Sequence, residues 1–131
     1  MTKGLPILLD DEDAHRLIAI RALKKIGVPV REAASLSEAR RLVQEVPPSF
    51  MIIDRNLNGE SGLTMVCELR KGALTSGIPL IMLSTSEELS DIWAAYTSGV
   101  DLYIFKEAEQ TAYSKTLTSA VNFISSLKNR Q

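Results

Sequence analysis

Apolar residues gather into five short runs along the chain, and each run is followed by a stretch whose apolar positions recur at helical spacing. That alternation predicts a parallel sheet with crossover helices. The expected strands are Leu5 to Asp10, Val28 to Glu32, Phe50 to Asp54, Ile78 to Ser84 and Leu102 to Lys106. Phe50-Met51-Ile52-Ile53 and Leu80-Ile81-Met82-Leu83 are continuous apolar runs, as strands covered on both faces require. Pro6 fits only the start of its strand, because farther in it would remove a ladder donor.

Five helices are expected between and after them. The first runs from about Asp13 to Ile26, with Leu17, Ile20, Leu23 and Ile26 at threefold spacing and Gly27 as its stop. The second opens with Ser35 and Glu38 in capping-box spacing, carries Ala39, Leu42, Val43 and Val46, and ends at Pro47-Pro48. The third covers about Gly62 to Lys71. The fourth, about Glu88 to Ser98, carries Leu89, Ile92, Trp93 and Tyr96 and stops at Gly99. The last, about Thr111 to Lys128, places Leu117, Ala120, Val121, Ile124 and Leu127 on one stripe. At 131 residues the chain reads as one domain spanning 1–131, large enough to bury a core without staples.

Composition removes several classes of function. A hydrophobic share of 45% with 24% charged residues is that of a soluble globular protein, not a disordered one. The net charge of −1 supplies no basic field for nucleic acid or anionic lipid, so neither DNA nor membrane is an expected partner. The single cysteine, Cys67, permits no internal disulfide and is expected to be a buried thiol. With no signal-peptide pattern and no run near the roughly 20 apolar residues that span a bilayer, the expected location is cytoplasmic.

In an open parallel sheet ligands bind beyond the carboxyl ends of the strands, so the residues there are the candidates for chemistry. The first strand ends in Asp10 and Asp11, the third in Asp54, the fourth in Ser84 with Thr85, and the fifth in Lys106. Each has an ordinary explanation alone: acids favoured at a helix start, a turn former, a solvated lysine. Together, on one edge of a sheet, they describe a site. Two ionised carboxylates 4 Å apart repel by roughly 4 kcal/mol at an effective dielectric near 20, so three of them need a cation. All-oxygen ligands select Mg²⁺ or a similar hard ion such as Mn²⁺. Lys106 and Ser84 would contact phosphate oxygens, and the set suits phosphoryl transfer onto a carboxylate. Glu12 lengthens the acidic run, leaving Asp11 with Glu12 as an alternative metal pair to Asp10 with Asp11.

These segments resemble the receiver domains of bacterial two-component response regulators, over nearly the whole chain. The likeness lies in Leu8-Leu9-Asp10-Asp11, in Ile52-Ile53-Asp54 with the loop Arg55 to Gly62, in Pro79-Leu80-Ile81-Met82-Leu83-Ser84, and in Gly99 to Lys106 with Tyr103. The resemblance implies a flavodoxin-like (βα)5 doubly wound sheet of strand order 2-1-3-4-5, an order the family itself exemplifies. It implies that Asp54 is the phosphoacceptor, and that Asp10, Asp11, Asp54 and the backbone carbonyl of Asn56 hold the metal. Ser84 and Lys106 would hold phosphate oxygens, with Tyr103 as the aromatic that changes rotamer.

Two departures stand out. Glu107 follows Lys106 where the family usually has a cis proline; a cis bond without proline costs about 2.5–4 kcal/mol, so a trans bond and a different loop are expected. Asn58 stands where many members have proline, and is expected to loosen the loop after Asp54.

The function expected is that of a phosphoacceptor switch of a two-component or phosphorelay system. It would be charged by a histidine kinase or histidine phosphotransfer protein, and signal through the fourth helix, fifth strand and fifth helix. It would not be an enzyme in the conventional sense, but would support its own phosphorylation and dephosphorylation. Trp93 and Tyr96 could contribute to a partner face, with at least one expected in the core. With no output domain expected after Arg130 and Gln131, the target would be another protein or a second copy of the chain. The single histidine, His15, is expected to face solvent. The alternatives are a receiver-like interaction module that no longer uses phosphate and, more remotely, a flavin or nucleotide binder.

Overall fold

A computed structural model describes residues 4–128, and side chains only to Ser126, so the expected place of Leu127 on its stripe lies outside the described residues. Five strands form one parallel sheet: β1 (Ile7–Leu9), β2 (Arg31–Ala33), β3 (Met51–Asp54), β6 (Leu80–Ser84) and β7 (Leu102–Phe105), in the order β2-β1-β3-β6-β7. The remaining two, β4 (Asn56–Leu57) and β5 (Glu60–Ser61), make a separate antiparallel hairpin. The helices are α1 (Asp13–Lys25), α2 (Leu36–Glu45), α3 (Gly62–Lys71), α4 (Leu89–Ser98) and α5 (Gln110–Lys128). The architecture is the expected flavodoxin-like one, and the five-strand order is the expected order once the hairpin is set aside.

Alternation along the central strands sorts the core into two layers. Ile7, Leu9, Met51, Ile53, Leu80 and Met82 face one way and pack with Leu36, Ala39, Leu42, Met65, Val66, Leu69 and Ala95 from α2, α3 and α4. Leu8, Ile52, Ile81, Leu83 and Ile104 face the other way, against Ala19, Leu23, Leu117, Ala120, Val121 and Ile124 from α1 and α5. Ser35 caps α2 as expected, its hydroxyl accepting from the Glu38 amide at 3.1 Å. Among the described residues no helix is long and apolar enough to cross a membrane.

Three expectations fail for physical reasons. The threefold stripe of α1 does not lie on one face, because each three-residue step falls 60° short of a full turn at about 100° per residue. Leu17 therefore falls opposite the buried Ala19, Ala22 and Leu23 and is exposed, whereas Ile26 is exposed because it lies just past the end of α1, where the backbone leaves the helix. Cys67 is exposed on α3, because Met65, Val66 and Leu69 supply that helix's inward face. Trp93 and Tyr96 are both exposed, at 72% and 44%, because only Ala95 of α4 reaches full burial.

The loop after Asp54 also departs from expectation. Asn58 and Gly59 have φ of 48° and 92° and are the two turn residues between paired Leu57 and Glu60. Asn-Gly with both residues in the left-handed region is the favoured two-residue hairpin turn, so the loop is closed rather than loosened. Just beyond it, α3 starts at Gly62, whose amide donates to the Arg55 carbonyl at 2.7 Å. A Cβ at Gly62 would stand 2.2 Å from the Asp54 carbonyl oxygen and 2.8 Å from Ile53 Cγ2. Gly62→Ala is expected to destabilise the fold by about 1–3 kcal/mol. Gly77→Ala, with nothing within 4 Å of the added carbon, should stay within about 0.5 kcal/mol. Urea unfolding of the two variants measures the difference.

Candidate functional site

The carboxyl end of the sheet brings the predicted residues together. Adjacent β1 and β3 end beside each other, placing carboxylate oxygens of Asp10, Asp11 and Asp54 within 4.8 Å of one another. Asp10 and Asp54 are buried and Asp11 is half-buried. Lys106 follows β7 and reaches back over β6 with only 4% exposure. Its ammonium lies 2.9 Å from Asp10 Oδ2 and 2.8 Å from Asp54 Oδ2. The second oxygen of each acid accepts from a backbone amide: Asp10 Oδ1 from Glu12 at 2.9 Å, Asp54 Oδ1 from Asn56 at 3.3 Å. Arg16 holds the start of the acidic loop, donating to the Asp10 carbonyl at 2.7 Å.

Asp11 and Asp54 border a cavity of about 310 Å³ lined also by Glu12, His15, Asn56, Asn58, Thr85 and Lys106, with Asp10 buried behind it. An acid-lined hollow of this size, with oxygen donors converging from two strands, suits a hydrated hard cation. The closest trio is Asp10, Asp11 and Asp54, which favours the first of the two metal pairs; Glu12 sits on the rim with its carboxylate 3.0 Å from His15 Nδ1. His15 is thus a half-buried wall residue, not a solvent-facing one, because α1 begins at the cavity mouth.

Ser84 is buried and does not line the cavity; its hydroxyl accepts from the Ser86 amide at 3.1 Å. Tyr103 is half-buried, and its hydroxyl donates to the Ser86 carbonyl at 2.7 Å. The Lys106–Glu107 bond is trans, as the missing proline implies. Glu107 is tied to α5, accepting from the Thr116 hydroxyl at 2.7 Å. Two neighbours escaped the sequence reading. Arg55 pairs with Asp91 of α4 at 3.3 Å, and Tyr113 of α5 is fully buried with its ring 6.0 Å from that of His15. The signal for Tyr113 was faint: one aromatic among small and polar residues at the start of α5.

Electrostatics follow from burial and counting. Burial pushes the Asp54 carboxyl up, the Lys106 ammonium pulls it down and Asp10 pushes it up again, leaving it at about 6. Burial opposes the Lys106 charge, but hydrogen bonds and charge from Asp54 and Asp10 outweigh it and hold the ammonium above its usual range. Burial also raises the Tyr113 phenol, with the charges of Asp10, Asp54 and Glu12 adding to the effect. Two buried carboxylates against one ammonium leave an excess negative charge, which a cation or the loss of one carboxylate would relieve.

A family model for the response regulator receiver domain matches residues 7–118. The phosphate regulon transcriptional regulatory protein PhoB of Pseudomonas aeruginosa is 30% identical over 100 residues, covering 76% of this chain and 44% of that protein. The chain spans less than half the length of such curated relatives. A putative response regulator from Chloroflexus aurantiacus superposes with a TM-score of 0.81 at 28% identity, covering 94% of this chain and 98% of the other. The Mn²⁺-bound form of response regulator Rcp1 superposes at 0.74 with 21% identity, covering 88% and 91%. The chain belongs to the response-regulator receiver family of two-component signalling.

The raised Asp54 carboxyl has a consequence for stability. A native pKa of about 6 lies above the unfolded value of about 3.9, so the protonated acid favours folding below about pH 4, and that benefit is lost as pH rises through 6. Asp54→Asn is expected to unfold at higher urea at pH 7, by about 1–3 kcal/mol at roughly 1.4 kcal/mol per pKa unit. The gain should shrink between pH 6 and pH 4; an equal gain at both ends would contradict the assignment.

Proposed function

We propose that this receiver domain is a phosphoacceptor switch in which Asp54 takes a phosphoryl group from a phosphohistidine of a sensor kinase or phosphotransfer protein. The observation that carries the reading is the three-residue tie of Lys106 to Asp10 and Asp54 beside the acid-lined cavity. An Asp54 carboxylate oxygen attacks phosphorus as the phosphorus–nitrogen bond of the donor breaks, the electron pair leaving with the imidazole. Lys106 is placed to follow the transferred group, because it already rests on the oxygen side of Asp54. Ser84 contributes its hydroxyl once the turn after β6 moves.

The donor set fits a divalent metal, Mg²⁺ or Mn²⁺, held by Asp10, Asp11, Asp54 and the carbonyl of Asn56. When bound, that ion neutralises charge on the transferred phosphoryl oxygens. Rcp1, a structural neighbour, has a Mn²⁺-bound form. The Asn58-Gly59 turn keeps Asn56 against the mouth of the cavity, which supports its place in the set.

The chain supports its own phosphorylation and hydrolysis rather than turning over an external substrate, and acts in the cytoplasm. Its output passes through the face of α4, β7 and α5. Leu89, Trp93 and Tyr96, spaced i, i+4 and i+7 on α4, are exposed there and favour a protein partner or a second copy over DNA. The transcriptional role named for PhoB belongs to a protein more than twice the matched length.

Incubation with Mg²⁺ and acetyl phosphate should add the mass of one phosphoryl group to the native chain and none to Asp54→Ala. Absence of the adduct in a folded, Mg²⁺-binding chain would favour the non-phosphorylated interaction module. Saturating Mg²⁺ should stabilise the native chain by about 2.7 kcal/mol at a hundredfold excess over Kd. The gain should be much smaller in Asp54→Ala, read from thermal melts.

A further inference from the structure

The turn joining β6 to α4 is fastened to the residue next to the phosphoacceptor. Arg55 follows Asp54 in sequence, but its side chain runs to α4. There Nη2 lies 3.3 Å from Asp91 Oδ1, and Nη1 donates to the Asp91 carbonyl at 3.1 Å. The other oxygen of Asp91 accepts a short hydrogen bond from the Ser86 hydroxyl. Ser86 is held at its remaining polar atoms as well. Its amide donates to Ser84 Oγ at 3.1 Å, its carbonyl accepts from the Tyr103 hydroxyl at 2.7 Å, and its own Oγ accepts from the Glu88 amide at 3.2 Å. One continuous set of polar contacts thus runs from Arg55 through Asp91 and Ser86 to Ser84 and Tyr103.

We propose that Arg55 and Asp91 are positioning residues that clasp the β6–α4 turn in its resting place, and so set the cost of bringing Ser84 to a phosphoryl group on Asp54. The inference rests on the phosphoacceptor reading and adds a control to the same site. In the clasped position Ser84 does not line the cavity, and Thr85 forms the wall at that corner. Carrying the Ser84 hydroxyl toward Asp54 drags the Ser86 amide bonded to it. Ser86 cannot move without stretching its bond to Asp91, which Arg55 anchors to the end of β3. Arg55 and Asp91 are only 18% and 33% exposed at the side chain, so solvent screens the pair less than a surface one. The same motion moves Tyr103, whose hydroxyl sits on the Ser86 carbonyl, so release of the clasp and rearrangement of β7 are one event.

The test uses Arg55→Met and Asp91→Ala, which cut the clasp from opposite ends, with Arg55→Lys keeping a cation within reach. Beryllofluoride with Mg²⁺ is titrated against the fluorescence of Trp93, the chain's sole tryptophan, on α4 two residues from Asp91. Amide exchange of Ser86 to Ile92 is measured without ligand. Both cut variants should bind beryllofluoride about three- to tenfold more tightly, as expected for loss of a partly shielded ion pair. Both should also exchange these amides faster, with Mg²⁺ affinity unchanged and Arg55→Lys near the native values. Unchanged exchange, or faster exchange with no gain in beryllofluoride affinity, overturns the clasp. A native chain that binds Mg²⁺ but never beryllofluoride overturns the phosphoacceptor reading instead, and the clasp's role with it; the exchange rates then tell the two failures apart.

Discussion

The Lys106 ammonium between Asp10 and Asp54 is the interaction on which the site depends. Neighbouring strands lie about 4.8 Å apart, so a residue at the end of β7 must reach over β6, roughly 10 Å in all, to meet β3. Lysine, with four methylenes and a compact charge, covers most of that span while almost wholly buried, and the Asp54 side chain meets it. Removing either partner class would strand buried charge, which costs far more than a surface ion pair contributes. The tie also leaves the site short of positive charge, and this deficit makes the cavity receptive to a divalent ion.

Much of this was legible from the chain alone, because parallel strands announce themselves as apolar runs and their ends can be read directly. Asp10, Asp54 and Lys106 are each ambiguous in isolation, and their shared position at strand ends resolved them. The hairpin after Asp54 was not expected, because a missing proline at Asn58 suggests a looser loop, yet Asn58 and Gly59 both enter the left-handed region and close the turn by themselves. Burial of single side chains was the least legible layer. Cys67, Trp93 and Tyr96 sit on helices whose inward faces were already filled by neighbours, a matter of rotation by one or two residues that hydropathy does not fix. Arg55 and Asp91 were invisible for a different reason: they lie 36 residues apart and meet only when α4 crosses the end of β3.

The molecule divides its surface unevenly. One end of the sheet is polar, buried and tied to itself, whereas α4 presents Leu89 at 83% exposure and Trp93 at 72%. The polar turn after β6 lies between these two regions. Its contacts run to the end of β3 on one side, through Asp91 and Arg55, and to β7 on the other, through Tyr103, so it ties the two regions together.

The bond from Lys106 to Asp10 joins positions 96 residues apart. A ribosome releases the two acids long before it releases the amine, so a nascent chain carries the acidic half of the pocket with nothing to balance it. The pocket is therefore balanced only once β7 is in place, and a chain truncated ahead of that strand would hold Asp10 and Asp54 with no ammonium between them.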